Sequence, residues 1–191
     1  MISDLDALLQ HVKQKQRVKY CFFWGHQPTK DGSIGASCFS QWFLASFSID
    51  GLTYPTAEHF MMAEKARLFE DNQTREAILH TSHPNAAKKL RRQVRGFDEA
   101  SWQAQRFDIV VRGNYAKFSQ NASLGTFLLN TKNRILVEAS PVDRIWGIGL
   151  ARDDDRATNP EQWRGLNLLG FALMQVRENL REALTADSSL V

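Results

Sequence analysis

Residues 54–69 read Tyr-Pro-Thr-Ala-Glu-His-Phe-Met-Met-Ala-Glu-Lys-Ala-Arg-Leu-Phe, and the rest of the chain is organised around them. Pro55 fixes φ and suits a first helical turn, and Thr56 can cap the helix by accepting a backbone N–H. On a wheel of roughly 100° per residue, Met62, Ala66 and Phe69 fall to one side of Glu58. Tyr54, Met61 and Leu68 fall to the other. Lys65 lands within roughly 20° of Glu58, while Glu64 and Arg67 take the opposite face. A carboxylate and an amine therefore occupy the middle of an apolar face.

That placement is costly, because a buried charge must pair, lose its charge or serve chemistry. One reading is structural: a buried Glu58–Lys65 ion pair, or Glu58 capping the free N–H groups of the first turn. The other is a reactive site, since perturbed groups cluster at functional sites. The two positions lie about 10 Å apart along the axis, which leaves room for a ligand unless the side chains reach toward each other. Glu58 also sits near the positive end of the helix, which favours its anion. Such a carboxylate suits stabilising a developing cation or activating water.

The chain has 191 residues, 43% of them hydrophobic, with twelve Phe and five Trp, enough for a substantial core. Cys21 and Cys38 make neither a disulfide framework nor a metal cluster and read as reduced core thiols. A net charge of +3 permits a phosphate-bearing ligand without arguing for a nucleic-acid binder. No apolar run approaches the ~20 residues of a membrane span. Residues 1–16 carry Asp4, Asp6 and an Ile2/Leu5/Leu8/Leu9/Val12 stripe, an amphipathic helix and not a signal peptide. A cytoplasmic location is the expectation.

The expected fold class is α+β and mainly α-helical: a small N-terminal antiparallel sheet or hairpin packed on a helical bundle. Residues 18–24 read as a strand. Residues 47–54 read as a hairpin with Asp50-Gly51 at its turn. Helices follow from Asn72 or Thr74 to His80, over 86–95, over 102–118 and, capped by Asn121, over 122–129. Within the third of these, Gly113-Asn114 marks a weak spot. A short strand over 134–138 precedes a long loop, and Asn167 caps a last helix to about Leu184. One domain is expected over 19–185, with a helical extension over 1–18 and a tail over 186–191.

The loop over 138–150 gathers Asp143, Trp146, Gly147 and Gly149. Long loops in compact domains are often functional. Glycines let backbone approach a ligand, and a Trp face can stack on a base. An ordinary structural loop with Trp146 in the core is the competing reading. Lys88, Lys89, Arg91, Arg92 and Arg95 read as a solvated helix face, from which one or two cations could hold a phosphate. His59, His80 and His83 lack metal-ligand spacing.

Several separated blocks, in order, resemble the NADAR family, also called YbiA-like. They are Phe23-Trp-Gly-His26, Phe39-Ser40, Trp42, Tyr54-Pro-Thr-Ala-Glu-His59, Lys65-Ala-Arg-Leu-Phe69, Lys117-Phe-Ser-Gln-Asn121, Leu136-Val-Glu-Ala-Ser-Pro-x-Asp-x-x-Trp-Gly-x-Gly149 and Gly165-Leu-Asn-Leu-Leu-Gly170. The resemblance runs from about Lys19 to Leu184 and implies a YbiA-like fold and an N-glycosidase. It implies one of two substrates: phosphoribosylamino-pyrimidine intermediates of riboflavin synthesis, or ADP-ribosylated guanine in nucleic acid. It places the essential glutamate at Glu58, carries the lysine block to Lys65 and the acidic-glycine block to Asp143, and so implies Glu58, Lys65 and Asp143 as the catalytic residues, with Trp146, Gly147 and Gly149 binding substrate. Phe23, Trp24, Gly25, Ser40, Trp42, His59 and Asn167 complete the expected substrate-binding set. Gln41 departs from the Asn that relatives often carry after Phe-Ser.

N-glycoside cleavage passes through an oxocarbenium-like ribose carbon, which a neighbouring carboxylate stabilises while orienting water. Alternatively, a desolvated Lys65 attacks that carbon and forms a Schiff base. Neither route requires a cofactor or a metal. The expected partner is a ribosylated nucleotide-type molecule or ADP-ribosylated nucleic acid, with no membrane. Two alternatives stand beside this: a non-catalytic nucleotide or ADP-ribose sensor with the same pocket, and a nucleic-acid binder through residues 88–95, against which the modest net charge argues.

Overall fold

The computed structural model of the protein describes residues 2–188. In chain order its elements are α1 (Leu5–Lys13), β1 (Tyr20–Phe23), β2 (Phe47–Ile49), β3 (Leu52–Tyr54), α2 (Ala57–Leu68), α3 (Asn72–Leu79), α4 (Pro84–Leu90), α5 (Glu99–Gln120), α6 (Ala122–Leu129), β4 (Ile135–Glu138) and α7 (Leu168–Ser188). The described residues divide into two compact units. One comprises Met1–Ser40 with Ser123–Val191, the other Gln41–Ala122. Helix α7 takes in the start of the expected tail; the rest of that tail lies outside the described residues.

In the second unit, β2 and β3 form the expected antiparallel hairpin, Phe47 opposite Tyr54. Asp50 and Gly51 adopt φ of 51° and 77°, as its tight turn requires. Helix α2 follows, and Thr56 caps it by accepting from the His59 N–H. Helices α3, α4 and α5 all pack on α2, so Ala57 to Ala66 are buried without a break. This corrects the two-faced wheel. Glu64, assigned there to the outer face, is buried and held by Arg67 and Arg112. A helix wrapped on all sides by others has no solvent face to read.

Helix α5 runs unbroken through Gly113-Asn114. A side-chain carbon at Gly113 would strike the Phe60 ring, so the glycine makes room on α5 for this side chain of α2. Asp71, Asp98 and His83 cap α3, α5 and α4, with Pro84 in the first turn of the last. Asn121 stands between α5 and α6 and ends the first of them. Its amide donates to the Lys117 carbonyl at 2.8 Å and the Ser46 carbonyl at 3.1 Å, closing the end of α5.

In the first unit, β1 pairs with β4 in parallel, Tyr20 opposite Ile135 and Phe23 opposite Glu138. The strand after α1 therefore belongs to a separate sheet from the hairpin, a pairing that joins residues far apart in sequence. Helix α7 packs on β4. Helix α1, expected as an extension, buries Leu8 completely and packs against the short turn of helix Pro160–Gln162. Asn167 opens α7 from a left-handed conformation with φ of 53°.

Candidate functional site

In the second unit the expected residues lie on or beside α2. Glu58 stands at the second helical position, 3% exposed, and its backbone N–H donates to the Gln41 carbonyl at 2.9 Å. That bond ties the start of α2 to the segment carrying Trp42. His59 is buried, its Nδ1 2.8 Å from the Thr56 hydroxyl. Burial holds its imidazole below the usual range, and the Thr81 carbonyl offsets this only in part, so the ring favours the neutral form.

Lys65 lies two turns beyond Glu58 and is 9% exposed. Its Nζ sits 3.9 Å from the Phe97 ring centroid and 5.2 Å from that of Trp102. Burial lowers its pKa; Arg91 pushes the same way and Glu99 opposes. Trp42 is half-buried, with the Lys88 ammonium 5.3 Å from its ring. Arg95, in the basic run, is bound to Asp71 at 2.8 Å. The run over 88–95 is therefore not a free cationic stripe.

Two further buried polar residues of this unit, Lys117 and Asn114, were given no site role from the sequence. Lys117 is 0% exposed on α5, its Nζ 5.6 Å from the Phe43 ring and 5.1 Å from the Phe118 ring. It follows Gly113 by four positions and so shares the face of α5 turned to α2. That spacing was the available signal. Asn114 donates to the Gln41 side-chain oxygen at 2.8 Å and to the Val110 carbonyl at 2.9 Å. Gln41 also reaches the Met61 sulfur at 3.9 Å. The Gln41 side chain is thus engaged with α2 and α5.

In the first unit the expected residues gather at the C-terminal ends of β1 and β4. Phe23 ends β1 and packs edge-on against Phe39. Trp24 follows it 64% exposed, and Gly25 turns the chain with φ of 80°. Ser40 ends a short turn of helix, its N–H donating to the Ser37 carbonyl. Glu138 ends β4, a carboxylate that the site expectation omitted although its block was read.

The loop after β4 is built on its own polar groups. One Asp143 carboxylate oxygen accepts from the N–H groups of Ile145 and Trp146, each at 2.8 Å. Asn167 spans from α7 to β4: it accepts from the Glu138 N–H at 3.0 Å and donates to the Leu136 carbonyl at 2.9 Å. Its own N–H donates to the Gly147 carbonyl at 3.2 Å. A Cβ on Gly147 would crowd the Glu138 carbonyl, and one on Gly165 would strike the Gly147 carbonyl. Both glycines admit neighbouring backbone. Glu138, Asp143, Trp146, Gly147 and Asn167 are thereby brought into one bonded cluster. Trp146 is half-buried, leaving part of its side chain accessible. Among the described residues no group of three or more His, Cys, Asp or Glu is arranged to hold a metal ion.

The chain matches the model of the NADAR domain over residues 22–181. It is 43% identical over 165 residues to N-glycosidase R617 of Acanthamoeba polyphaga mimivirus, covering 84% of this chain and 95% of that one. It is 31% identical over 172 residues to N-glycosidase YbiA of Escherichia coli, covering 90% and 93%. The NMR structure of YbiA superposes with a TM-score of 0.70 over 89% of each chain, at 28% identity. The chain also matches the maize riboflavin biosynthesis protein PYRR at 32% identity, over 74% of this chain but 22% of that longer protein.

Proposed function

This chain belongs to the NADAR family and is an N-glycosidase, and we propose that it hydrolyses the bond between a base and a phosphorylated ribose with Glu58 as the catalytic carboxylate. The observation that carries the assignment is Glu58 itself. It is an acid buried at the positive end of α2, beside a neutral imidazole. Water attacks ribose C1 as the C1–N bond breaks, and Glu58 accepts the water proton. Glu58 gives that proton up through solvent as the leaving nitrogen takes one, so base–H and the 1-hydroxy sugar are the products and the carboxylate is restored. Through the transition state the Glu58 charge stabilises the cationic carbon.

Lys65 supports a covalent variant. Burial favours its free amine, the form that attacks C1 and, after ring opening, holds the sugar as a Schiff base. Lys117, the second buried lysine of the same unit, is the other amine to test. Asp143 is assigned to holding its loop, and Trp42, in the same unit as Glu58, offers a face on which a base stacks. The non-catalytic sensor gives way to the enzyme, since the relatives carry N-glycosidase names.

Two substrates are candidates, and the PYRR name favours the phosphoribosylamino-pyrimidine over ADP-ribosyl-guanine in nucleic acid. The test is a parallel turnover assay with both compounds. Base release from one of them by wild type identifies the substrate class. No release from either contradicts the phosphorylated-ribose reading. Borohydride added during turnover, followed by peptide mass spectrometry, reads the covalent route: a reduced sugar adduct on Lys65 or Lys117 supports it, and none contradicts it.

A further inference from the structure

Within the first unit lies a cleft of about 780 Å³, in the size range of ligand sites. It opens at the N-terminal ends of β1 and β4, where Lys19 and Arg134 immediately precede the strands. Phe23, Glu138 and the loop cluster sit at the opposite ends of those strands, roughly 10 Å away at 3.3 Å per residue. The cleft is therefore separate from that cluster.

Its walls carry Arg17, Lys19, Lys132, Arg134, Arg177 and Arg181 against a single acid, Glu178. Six cations and one anion leave +5 in the cleft of a chain whose net charge is +3, so all other residues together carry −2. Arg17, Lys19, Lys132 and Arg134 form no ion pair among the described residues. The modest net charge of the chain conceals this concentration.

A solvated basic face does not explain the floor of the cleft. Arg177 is 3% exposed. Its Nη1 donates to the Thr131 hydroxyl at 2.8 Å and the Arg134 carbonyl at 2.9 Å, and its Nε faces Glu178 at 3.5 Å. These bonds fix the guanidinium and, among the described residues, leave Nη2 without an acceptor. Arg181 donates to Glu178 and to the Lys132 carbonyl, pinning the adjacent wall. A fixed, buried guanidinium beneath four unpaired cations is an arrangement that an anion completes.

We propose that this cleft binds the phosphate backbone of single-stranded nucleic acid. A mononucleotide neutralises only part of a +5 cleft, whereas a strand brings one phosphate per residue. No Phe, Tyr or Trp lines the cleft, so bases find no stacking platform. The contact is with phosphates, independent of sequence. It requires no modified base and does not rest on the glycosidase reading.

The test is fluorescence anisotropy of a labelled, unmodified single-stranded oligonucleotide titrated with the full chain across a range of salt. Wild type should bind at low salt, with log affinity falling against log salt by about 0.7 per phosphate contact. The triple variant Arg17→Ala/Lys19→Ala/Lys132→Ala removes three exposed, unpaired cations. It should keep its fold by circular dichroism, bind about tenfold or more weakly at low salt, and lose about 2 from the slope. Glu58→Gln should bind the strand as wild type does. No strand binding at low salt, an unchanged slope in the triple variant, or binding of inorganic pyrophosphate without binding of the strand would each overturn the proposal.

Discussion

The Lys65 ammonium nitrogen lies 3.9 Å from the centroid of the Phe97 ring, so a cation is held inside an aromatic enclosure and not against a carboxylate. Cation–π attraction offsets part of the desolvation. Burial still lowers the Lys65 pKa from its usual 10.5. Below that value the unfolded chain holds the proton more tightly than the folded one, so this lysine's contribution to stability rises as pH climbs toward 10.5. Lys65→Met should therefore be stabilised most against wild type near neutral pH. The difference should shrink as pH rises into that window. Urea denaturation from pH 7 upward checks it, and a constant difference would contradict it.

Asp71 behaves in the opposite sense. It caps α3 and accepts from Thr74 and from the backbone and guanidinium of Arg95. The Arg95 bonds hold its carboxyl far below the usual carboxylate value of 3.8. Its contribution is thus complete above pH 3.8 and is lost as pH falls through the lowered value. Asp71→Asn should be less stable than wild type at neutral pH and lose less stability on acidification. Parallel acid slopes for the two proteins would contradict this.

Gly113 faces the ring of Phe60, a core residue with no room to withdraw. Gly113→Ala gains roughly 1 kcal/mol of helix propensity. The overpacking it creates costs about 1–3 kcal/mol, and more where neighbours cannot shift. The expected net is destabilisation, with a lower midpoint in a denaturant titration. A stabilised variant would show that α2 and α5 separate at no cost.

Asn167 makes two side-chain bonds to β4 from a left-handed backbone. Asn167→Ala strands the Glu138 N–H and the Leu136 carbonyl, at about 1–3 kcal/mol per unsatisfied group. Asn167→Asp keeps the acceptor and loses the donor. Thermal melts should rank wild type above the Asp variant and the Asp variant above Ala. Equal losses from both substitutions would mean that the acceptor contributes nothing.

The hairpin, the start of α2 and most helix spans were legible because turn residues, caps and periodicity are local signals. The parallel pairing of Tyr20 with Ile135 was not, since nothing near either strand encodes a partner over a hundred positions away. Glu64 misled the wheel because α2 is enclosed by helices that its own sequence does not announce. Glu58 could be found as a charge among apolar neighbours. Lys117, equally buried, lay in a block read only for resemblance. In the 138–150 loop, Gly147 is approached by the Glu138 and Asp143 carbonyls and Gly149 by the side chains of Arg164 and Arg144. The cationic cleft was hidden because its residues come from three distant segments.

In the proposed reaction the Glu58 carboxylate performs the cleavage. Glu58→Gln keeps the shape and removes the charge, so steady-state turnover of the substrate that wild type cleaves is the direct measurement. The expected result is a kcat lower by roughly 10²–10⁴-fold, with KM little changed and an unaltered thermal melt. A variant that folds as wild type does and retains kcat within about tenfold, a barrier change of only about 1.4 kcal/mol, would contradict the assignment.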